Sequence, residues 1–158
     1  MDLEDIVQRV DNLESIESIK KLKSRYMSGC DDCYNPAVLT PMFTKDAVWD
    51  GDPYFGRHEG REEIHAFFEE VSQGIVFAIH YAIAPNILVR GDGATGNWYL
   101  FMLATSSAGV ASWYAGRYEE EYKRESGLWL FSKLTIKLAL ATRYEDGWHK
   151  SPFGAFSE

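Results

Sequence analysis

The spacing of apolar residues changes near Ile75, and this change constrains the fold more than any other feature. Before Ile75, apolar residues recur at three- and four-residue intervals, which is typical of amphipathic helices. After it, long apolar and β-branched runs alternate with short turns, which is typical of antiparallel strands. Helices first and strands last favour an α+β fold over a parallel α/β sheet. With 158 residues and no evident repeat or linker, the chain is expected to form one domain over 1–158.

The first half predicts one long helix, one short helix and a third helix. The long helix is expected over about 3–30, either unbroken or gently broken, because the apolar stripe is nearly continuous. Asn35 and Pro36 suit the cap and the first turn of the short helix, which is expected to reach about Phe43. The third helix is expected over 61–74, with acidic residues in its first turn.

The second half predicts four long strands that follow one another as an antiparallel meander. Pro85 interrupts the first of them and predicts a bulge, because proline cannot donate to a strand ladder. The acidic run over 119–121 is interpreted as a solvent-exposed strand. The tail over 143–158 is expected to pack on a neighbour or to cover a pocket mouth. The expected strands, short ones included, are 45–50, 55–58, 75–90, 95–106, 113–124 and 128–142.

Tyr26, Asp31 and His80 are the candidate catalytic residues. Tyr26 shares a helical face with apolar residues and is predicted to point inward, whereas Asp31 lies about 140° around an ideal helix from it. His80 lies mid-strand with Ala78 and Ala82 on its own face, so open space is expected around the imidazole. A buried histidine bonded to backbone explains that pattern equally well.

The combination of the three side chains suggests proton-transfer chemistry. A carboxylate bonded to one imidazole nitrogen of His80 would orient the ring and leave the other nitrogen to take a proton. A phenol nearby, from Tyr26, could polarise a carbonyl or hydroxyl. Asp32 competes with Asp31 as the carboxylate, and each residue taken singly is more often structural.

Composition excludes several classes of partner. A net charge of −8 argues against binding to nucleic acid or to an anionic membrane surface. The N-terminal stretch is acidic and polar, unlike a signal peptide, and no apolar run approaches the roughly 20 residues of a membrane span. A cytoplasmic location is therefore expected. The CxxC of Cys30 and Cys33 falls at a helix C-terminus, where the helix dipole opposes a thiolate, so both are expected to be reduced structural thiols. Ligand spacing for a metal is lacking, and no metal is expected.

Several stretches together resemble the SnoaL-like members of the nuclear transport factor 2-like superfamily. They are IESIKKLKSRYMSGCD, FTKDAVWD, FGRHEGREEIHAFF, IHYAIAPNILV followed by ATGNWYL, and YEEEYKRESGLWLFSKL. Within this family the chain is similar to bile acid 7α-dehydratases, scytalone dehydratases and γ-hexachlorocyclohexane dehydrochlorinases. The resemblance implies a cone-shaped α+β barrel, with N-terminal helices packed into a curved antiparallel sheet. It also implies a homo-oligomer, trimer or dimer, and cofactor-free lyase or isomerase chemistry on a His–Asp dyad.

The resemblance carries over to Tyr26, Asp31 and His80 residue by residue. The chain departs from the family at Met102, which stands where the bile acid enzyme has an aspartate, and in the last strand, which lacks the family's arginine. These departures suggest a more apolar pocket or a substrate without a carboxylate. The residues expected to line the pocket are Trp49, Phe55, Trp98, Leu100, Met102 and Ala104.

The sequence therefore favours a cofactor-independent lyase or isomerase, similar to a dehydratase, that acts on a hydrophobic cyclic small molecule. His80 would be the base, Asp31 would orient it, and Tyr26 would bond a substrate oxygen. A polyketide-type cyclase is the nearest variant of this reading. A binding module of the same fold without catalysis, and a structural subunit of a larger enzyme, are the alternatives.

Overall fold

The computed structural model describes residues 2–156 and has the predicted order of elements. The described residues also form two 3-10 helices, Thr40–Met42 and Gly154–Phe156. The helices are α1 (Leu3–Asp31), α2 (Pro36–Leu39), α3 (Gly60–Gly74) and α4 (Gly147–Lys150). The strands are β1 (Phe43–Asp50), β2 (Arg57–Glu59), β3 (Ile75–Arg90), β4 (Gly93–Ser106), β5 (Ala111–Glu125) and β6 (Leu128–Arg143).

Helix α1 is one continuous helix, as predicted, but its two halves differ in burial. A capping box starts it, because the backbone N–H of Asp5 donates to the Asp2 carboxylate at 2.9 Å and the Asp2 N–H donates back at 3.3 Å. The apolar residues of its first half are largely exposed, Leu3 at 76% and Leu13 at 63%. The second half packs into the core and buries Tyr26 together with its apolar neighbours. Helix α1 therefore delivers its C-terminal end to the middle of the fold.

The strands form one curved, unclosed sheet of six strands within residues 2–156, in the order β2-β1-β6-β5-β4-β3. Strands β3 to β6 are the predicted antiparallel meander. Strand β1 pairs in parallel with β6, which makes the sheet mixed rather than antiparallel throughout. Sequence periodicity could not indicate this pairing, because the two strands are far apart in the chain. Their relative direction depends on where the chain leaves α2 and begins β1. The helices pack against this sheet, so the fold is α+β.

The predicted irregularity at Pro85 is confirmed. The pairing of β3 with β4 shifts register between Ile83 and Asn86, and Ala84 there has a φ of 51°. A bulge at this point bends the long strand β3 and increases its twist.

The acidic run of β5 differs from the prediction at Glu120, which is 2% exposed. Its carboxylate lies 2.5 Å from Nζ of Lys23 and accepts a short hydrogen bond from the Tyr122 hydroxyl. The period of two places Glu120 on the inner face of the strand, between Tyr118 and Tyr122. A sequence window containing only acidic residues could not reveal that a buried lysine from α1 would meet it.

The described part of the tail packs on the loop between β1 and β2. The ring of Tyr54 stacks on Phe153 and Phe156, with centroids 5.3 and 4.4 Å apart. Phe156 also contacts Phe55 and Tyr114, which line the cavity described below. The tail thus lies at the cavity rim, one of the two predicted positions. Residues 157 and 158 lie outside the described part.

Candidate active site

Asp31 and His80 meet at the end of α1. Oδ1 of Asp31 lies 2.7 Å from Nδ1 of His80 and also accepts the backbone N–H of His80 at 3.0 Å. The two bonds to one carboxylate oxygen hold both the ring and the strand that carries it. The imidazole is 5% exposed, whereas the Asp31 side chain is 32% exposed. The carboxylate is therefore in contact with solvent on one side and with a buried ring on the other.

The second nitrogen of His80 faces a tyrosine, but not Tyr26. The hydroxyl of Tyr34 lies 3.1 Å from Nε2, and the two rings meet edge to face at 5.6 Å. Tyr34 is 7% exposed. No signal in the sequence had marked Tyr34, because it lies in the turn after α1 and outside any helical stripe.

Tyr26 lies deeper, behind this contact. Its oxygen accepts a hydrogen bond of 3.1 Å from the indole N–H of Trp49, and its hydroxyl is also hydrogen-bonded to the Cys30 side chain. Its ring packs edge to face against Phe131 and Phe43. Burial raises the pKa of Tyr26 well above its usual range, so the group stays protonated at neutral pH.

Tyr26, Tyr34 and His80 line a cavity of about 410 Å³ between α1, α3 and the inner face of the sheet. Of the predicted lining residues, Trp49, Phe55, Leu100 and Met102 lie in its wall. Together with Tyr26 and His80 they surround one space. The wall also contains Tyr34, Tyr54, His58, Phe67, Phe68, Glu70, Val71, Gly74, Ile75, Tyr114, Tyr118, Ile136 and Leu138.

Trp98 and Ala104 are not among the residues that line this cavity. The indole N–H of Trp98 donates to the hydroxyl of Tyr122 at 3.1 Å, on the side where Lys23 and Glu120 pair. Trp98 shares a strand face with Leu100 and Met102, as predicted, but it lies further along a curved strand. A shared face therefore did not mean a shared cavity.

His58, Tyr114 and Tyr118 are among the cavity residues that were not identified from the sequence. Nε2 of His58 donates a hydrogen bond of 3.0 Å to the carbonyl of Phe55, and its ring stacks on Phe67 with centroids 4.3 Å apart. Tyr114 and Tyr118 come from β5, where the period of two places both on the inner face. That period was a usable signal for the two tyrosines, whereas His58 had none, because its neighbours in the sequence are polar.

Most of the titratable groups in and near the cavity wall are uncharged at neutral pH. Burial raises the pKa of the phenols of Tyr34 and Tyr118 well above the usual range. Burial likewise raises the pKa of the Cys30 thiol to about 12, although Lys23 opposes the shift. The wall of the cavity therefore offers neutral hydroxyl donors. Among the lining residues in the described chain, Glu70 is the one Asp or Glu, and there is no Lys or Arg.

Both cysteines are free thiols, Cys30 buried and Cys33 exposed. Within residues 2–156, no group of three or more His, Cys, Asp or Glu side chains could hold a metal ion. The same part of the chain contains no helix with the length and apolarity of a membrane span.

The fold and the site define a small α+β protein with His80 in the wall of an aromatic cavity and Asp31 behind it. The comparisons with known proteins agree with this fold. Residues 11–135 match the model of the SnoaL-like domain, and the chain belongs to this family. No curated protein matches the chain in sequence.

Solved structures show the same fold. A hexachlorocyclohexane dehydrochlorinase, LinA type 2, superposes with a TM-score of 0.76 at 25% identity, over 83% of this chain and 89% of that one. LinA type 3 from Novosphingobium barchaimii gives 0.75 at 25% identity, over 83% and 90%. A candidate aromatic ring hydroxylase from Novosphingobium aromaticivorans gives 0.79 at 23% identity, over 85% and 96%.

Proposed function

We propose that the protein is a cofactor-independent lyase or isomerase that removes a proton from a hydrophobic cyclic small molecule. The observation that carries the proposal is the 2.7 Å contact between Asp31 and His80, whose ring lies in the wall of an apolar cavity. The similarity to dehydrochlorinases, which eliminate a proton and a leaving group, supports the lyase class.

His80 is the general base of the proposed reaction. Asp31 orients the ring through Nδ1 and stabilises the imidazolium that forms when Nε2 receives a proton. The deprotonated carbon lies next to a carbonyl or a leaving group, so the electron pair moves onto oxygen or expels that group. Tyr26 turns its hydroxyl proton from the Cys30 side chain to the substrate oxygen and donates a hydrogen bond there, and its high pKa keeps it a donor.

The lining of the cavity supports a neutral substrate. Its volume of about 410 Å³ falls within the range of ligand pockets and suits a molecule with a few fused rings. Phenol hydroxyls can bond carbonyl or hydroxyl oxygens, whereas a substrate carboxylate would find no cation among the described lining residues. Met102 and Leu138 line the wall and add to its apolar character. A polyketide-type cyclization uses the same proton removal and is the nearest variant.

A homo-oligomer is proposed from a row of aromatic side chains on the outer face of the sheet. Tyr81, Phe101, Trp113 and Tyr144 follow one another across it, with ring centroids 6.3, 5.7 and 6.1 Å apart. Tyr81 is 49% and Tyr144 64% exposed, and an exposed apolar row of this kind typically marks an interaction surface. Light scattering of the wild type and of a Tyr81→Glu variant tests this: the variant should be smaller, and a monomeric wild type would contradict the proposal.

Hydrogen–deuterium exchange into ketones tests the proposed base. Wild-type protein in D2O should exchange the α-protons of 1-tetralone, progesterone or cyclohexanone faster than buffer, and His80→Ala should lose about 10²–10⁴-fold of that rate. His65→Ala is the matched control, because His65 lies on the outside of α3 and is 43% exposed. Equal exchange by wild type and His80→Ala would remove His80 as the base. Tight ligand binding without exchange would favour the binding module instead.

A further inference from the structure

The hydroxyl of Tyr34 is hydrogen-bonded to Nε2 of His80, the nitrogen that receives a proton in the proposed mechanism. A carboxylate oxygen can only accept, so the 2.7 Å contact with Asp31 means that Nδ1 carries the proton of the neutral ring. Nε2 is then an acceptor with one lone pair. The hydroxyl of Tyr34, 3.1 Å away, donates to that lone pair. A substrate proton therefore cannot reach Nε2 while this bond is in place.

The turn after α1 holds Tyr34 in this position. Cys33 and Tyr34 have φ values of 54° and 52°, a left-handed conformation that is uncommon for residues other than glycine. The backbone N–H of Tyr34 donates to the carbonyl of Cys30 at 3.2 Å, and Asn35 caps α2 immediately afterwards. Such a conformation persists when its surroundings determine it, and it is often found at functional sites.

The same contacts argue against a Tyr34 that swings aside. Its ring is 7% exposed, packs edge to face on His80 and is fixed at both ends of a two-residue turn. Tyr34 also lines the cavity, so its oxygen can reach a bound molecule without leaving His80. The lone pairs of that oxygen are acceptors of the kind that Nε2 no longer offers.

We propose that Tyr34 is a catalytic residue that relays the proton between the substrate and His80. This inference rests on the proposed function and names the group that touches the reacting proton. As the substrate C–H bond breaks, its proton forms a new O–H bond on Tyr34 and the electron pair stays with the substrate. In the same step the original Tyr34 proton moves to Nε2. Tyr34 ends neutral, and His80 ends as an imidazolium beside the Asp31 carboxylate.

The concerted transfer avoids a phenolate. Burial raises the pKa of Tyr34 well above its usual range, so a free phenolate in this place is costly while the hydroxyl proton stays available for His80. The base strength of the relay comes from the Asp31–His80 pair. Tyr34 connects this pair to the substrate, because its hydroxyl passes the proton between them.

The experiment is α-proton exchange into 1-tetralone, progesterone and cyclohexanone in D2O by wild type, Tyr34→Phe, His80→Ala and Tyr99→Phe. The relay predicts a loss of about 10²–10⁴-fold for Tyr34→Phe, as for His80→Ala. Tyr99 is an exposed tyrosine outside the cavity wall and the aromatic row, so Tyr99→Phe should exchange at the wild-type rate. Imidazole ¹⁵N spectra should show that Nε2 of His80 loses its hydrogen-bond donor in Tyr34→Phe while Nδ1 keeps Asp31.

The outcomes separate the relay from the proposed function. If Tyr34→Phe exchanges as fast as wild type, or faster, while His80→Ala is slow, the relay is wrong and the function stands. If wild type and His80→Ala exchange equally with all three ketones, the function fails and the relay fails with it.

A fluorinated tyrosine at position 34 covers the case in which Tyr34→Phe does not fold. Ring fluorination nearly preserves the shape of the side chain and makes its hydroxyl more acidic. A phenolate has no proton to give to His80, so the relay predicts that exchange is lost at a lower pH than in the wild type. An unchanged alkaline limb of the rate profile would overturn the relay.

Discussion

Helix α1 supplies one charged side chain to each of two side-chain pairs, and these two residues lie about two helical turns apart. Lys23 pairs with Glu120 of β5, and Asp31 pairs with His80 of β3. The first pair is almost completely buried, with side chains 1% and 0% exposed. The second is open on one side, with Asp31 32% exposed. The two pairs are built from the same helix and the same sheet, but one is closed and the other is accessible.

The difference lies in how the polar groups are satisfied. Glu120 accepts from Lys23 and from Tyr122, and the Lys23 ammonium lies 3.1 Å from the ring centroid of Tyr118. Burial lowers the pKa of Lys23, and Glu120 opposes that shift. At the open pair, the second nitrogen of His80 faces a phenol in the cavity wall. A closed pair serves the fold, whereas an open pair can exchange protons with a ligand.

The largest expected effect is on the closed pair. Lys23→Met leaves the Glu120 carboxylate buried without its cation, so the free energy of unfolding should fall by about 3–5 kcal/mol. The double variant Lys23→Met with Glu120→Leu should recover much of this loss, because no charge remains buried. Urea denaturation measures both. Lys20→Met is the control: its exposed pair with Glu17 should contribute less than about 1 kcal/mol. Equal effects of the two lysine variants would show that the pair is not closed.

At the open pair, we expect a substitution to lower the exchange rate strongly and to change the free energy of unfolding little. Asp31→Asn keeps an acceptor for His80 but removes the charge that stabilises the imidazolium, so ketone exchange should fall by about 10²-fold or more. The free energy of unfolding should change by less than about 1 kcal/mol. Asp32→Asn is the matched control on the neighbouring exposed carboxylate and should exchange normally. If Asp32→Asn were the slower of the two, the pairing of Asp31 with His80 would not be the active one.

The free energy of unfolding should depend on pH through the thiol of Cys30, which interacts electrostatically with Lys23 of one pair and Asp31 of the other. Burial raises its pKa from 9.0 to about 12, so between these values the folded state holds a proton that the unfolded chain releases. Stability is therefore fully present below pH 9 and falls by about 1.4 kcal/mol per pH unit above it. Urea denaturation of wild type and Cys30→Ala between about pH 8 and about pH 10 measures this slope, and the variant accounts for the buried tyrosines, which lower stability in the same direction near pH 10. Cys30→Ala should have a shallower slope, and an identical slope would contradict the raised pKa.

The smallest expected effects compare two tryptophans that each donate to a buried phenol at 3.1 Å. Trp49 donates to Tyr26 at the open side, and Trp98 donates to Tyr122 at the closed side. Replacing either by phenylalanine should cost about 1 kcal/mol of the free energy of unfolding for the lost bond, beyond any loss of packing. Only Trp49→Phe should also alter exchange, because Tyr26 is the proposed donor to the substrate oxygen. A change in exchange for Trp98→Phe alone would show that the closed pair is coupled to the cavity.

Much of the fold could be read from the sequence, because local periodicity reports local structure. The long helix, the bulge at Pro85 and the antiparallel meander were each predicted from spacing and turn residues within a short window. The pairing of β1 with β6 was not, since it depends on contacts between distant segments. Glu120 was assigned to solvent for the same reason: its partner Lys23 lies on another element.

The candidate site divides in the same way. The sequence by itself determined that Tyr26 points inward, that His80 has small neighbours on its face and that Leu100 and Met102 share a strand face. Only the tertiary structure decided that Asp31, rather than Asp32, contacts His80. It also decided that Tyr34 rather than Tyr26 faces Nε2, and that Trp98 lies away from the cavity. These are distances between elements, and they follow from how the end of α1 packs against a curved sheet, which no periodicity along the chain encodes.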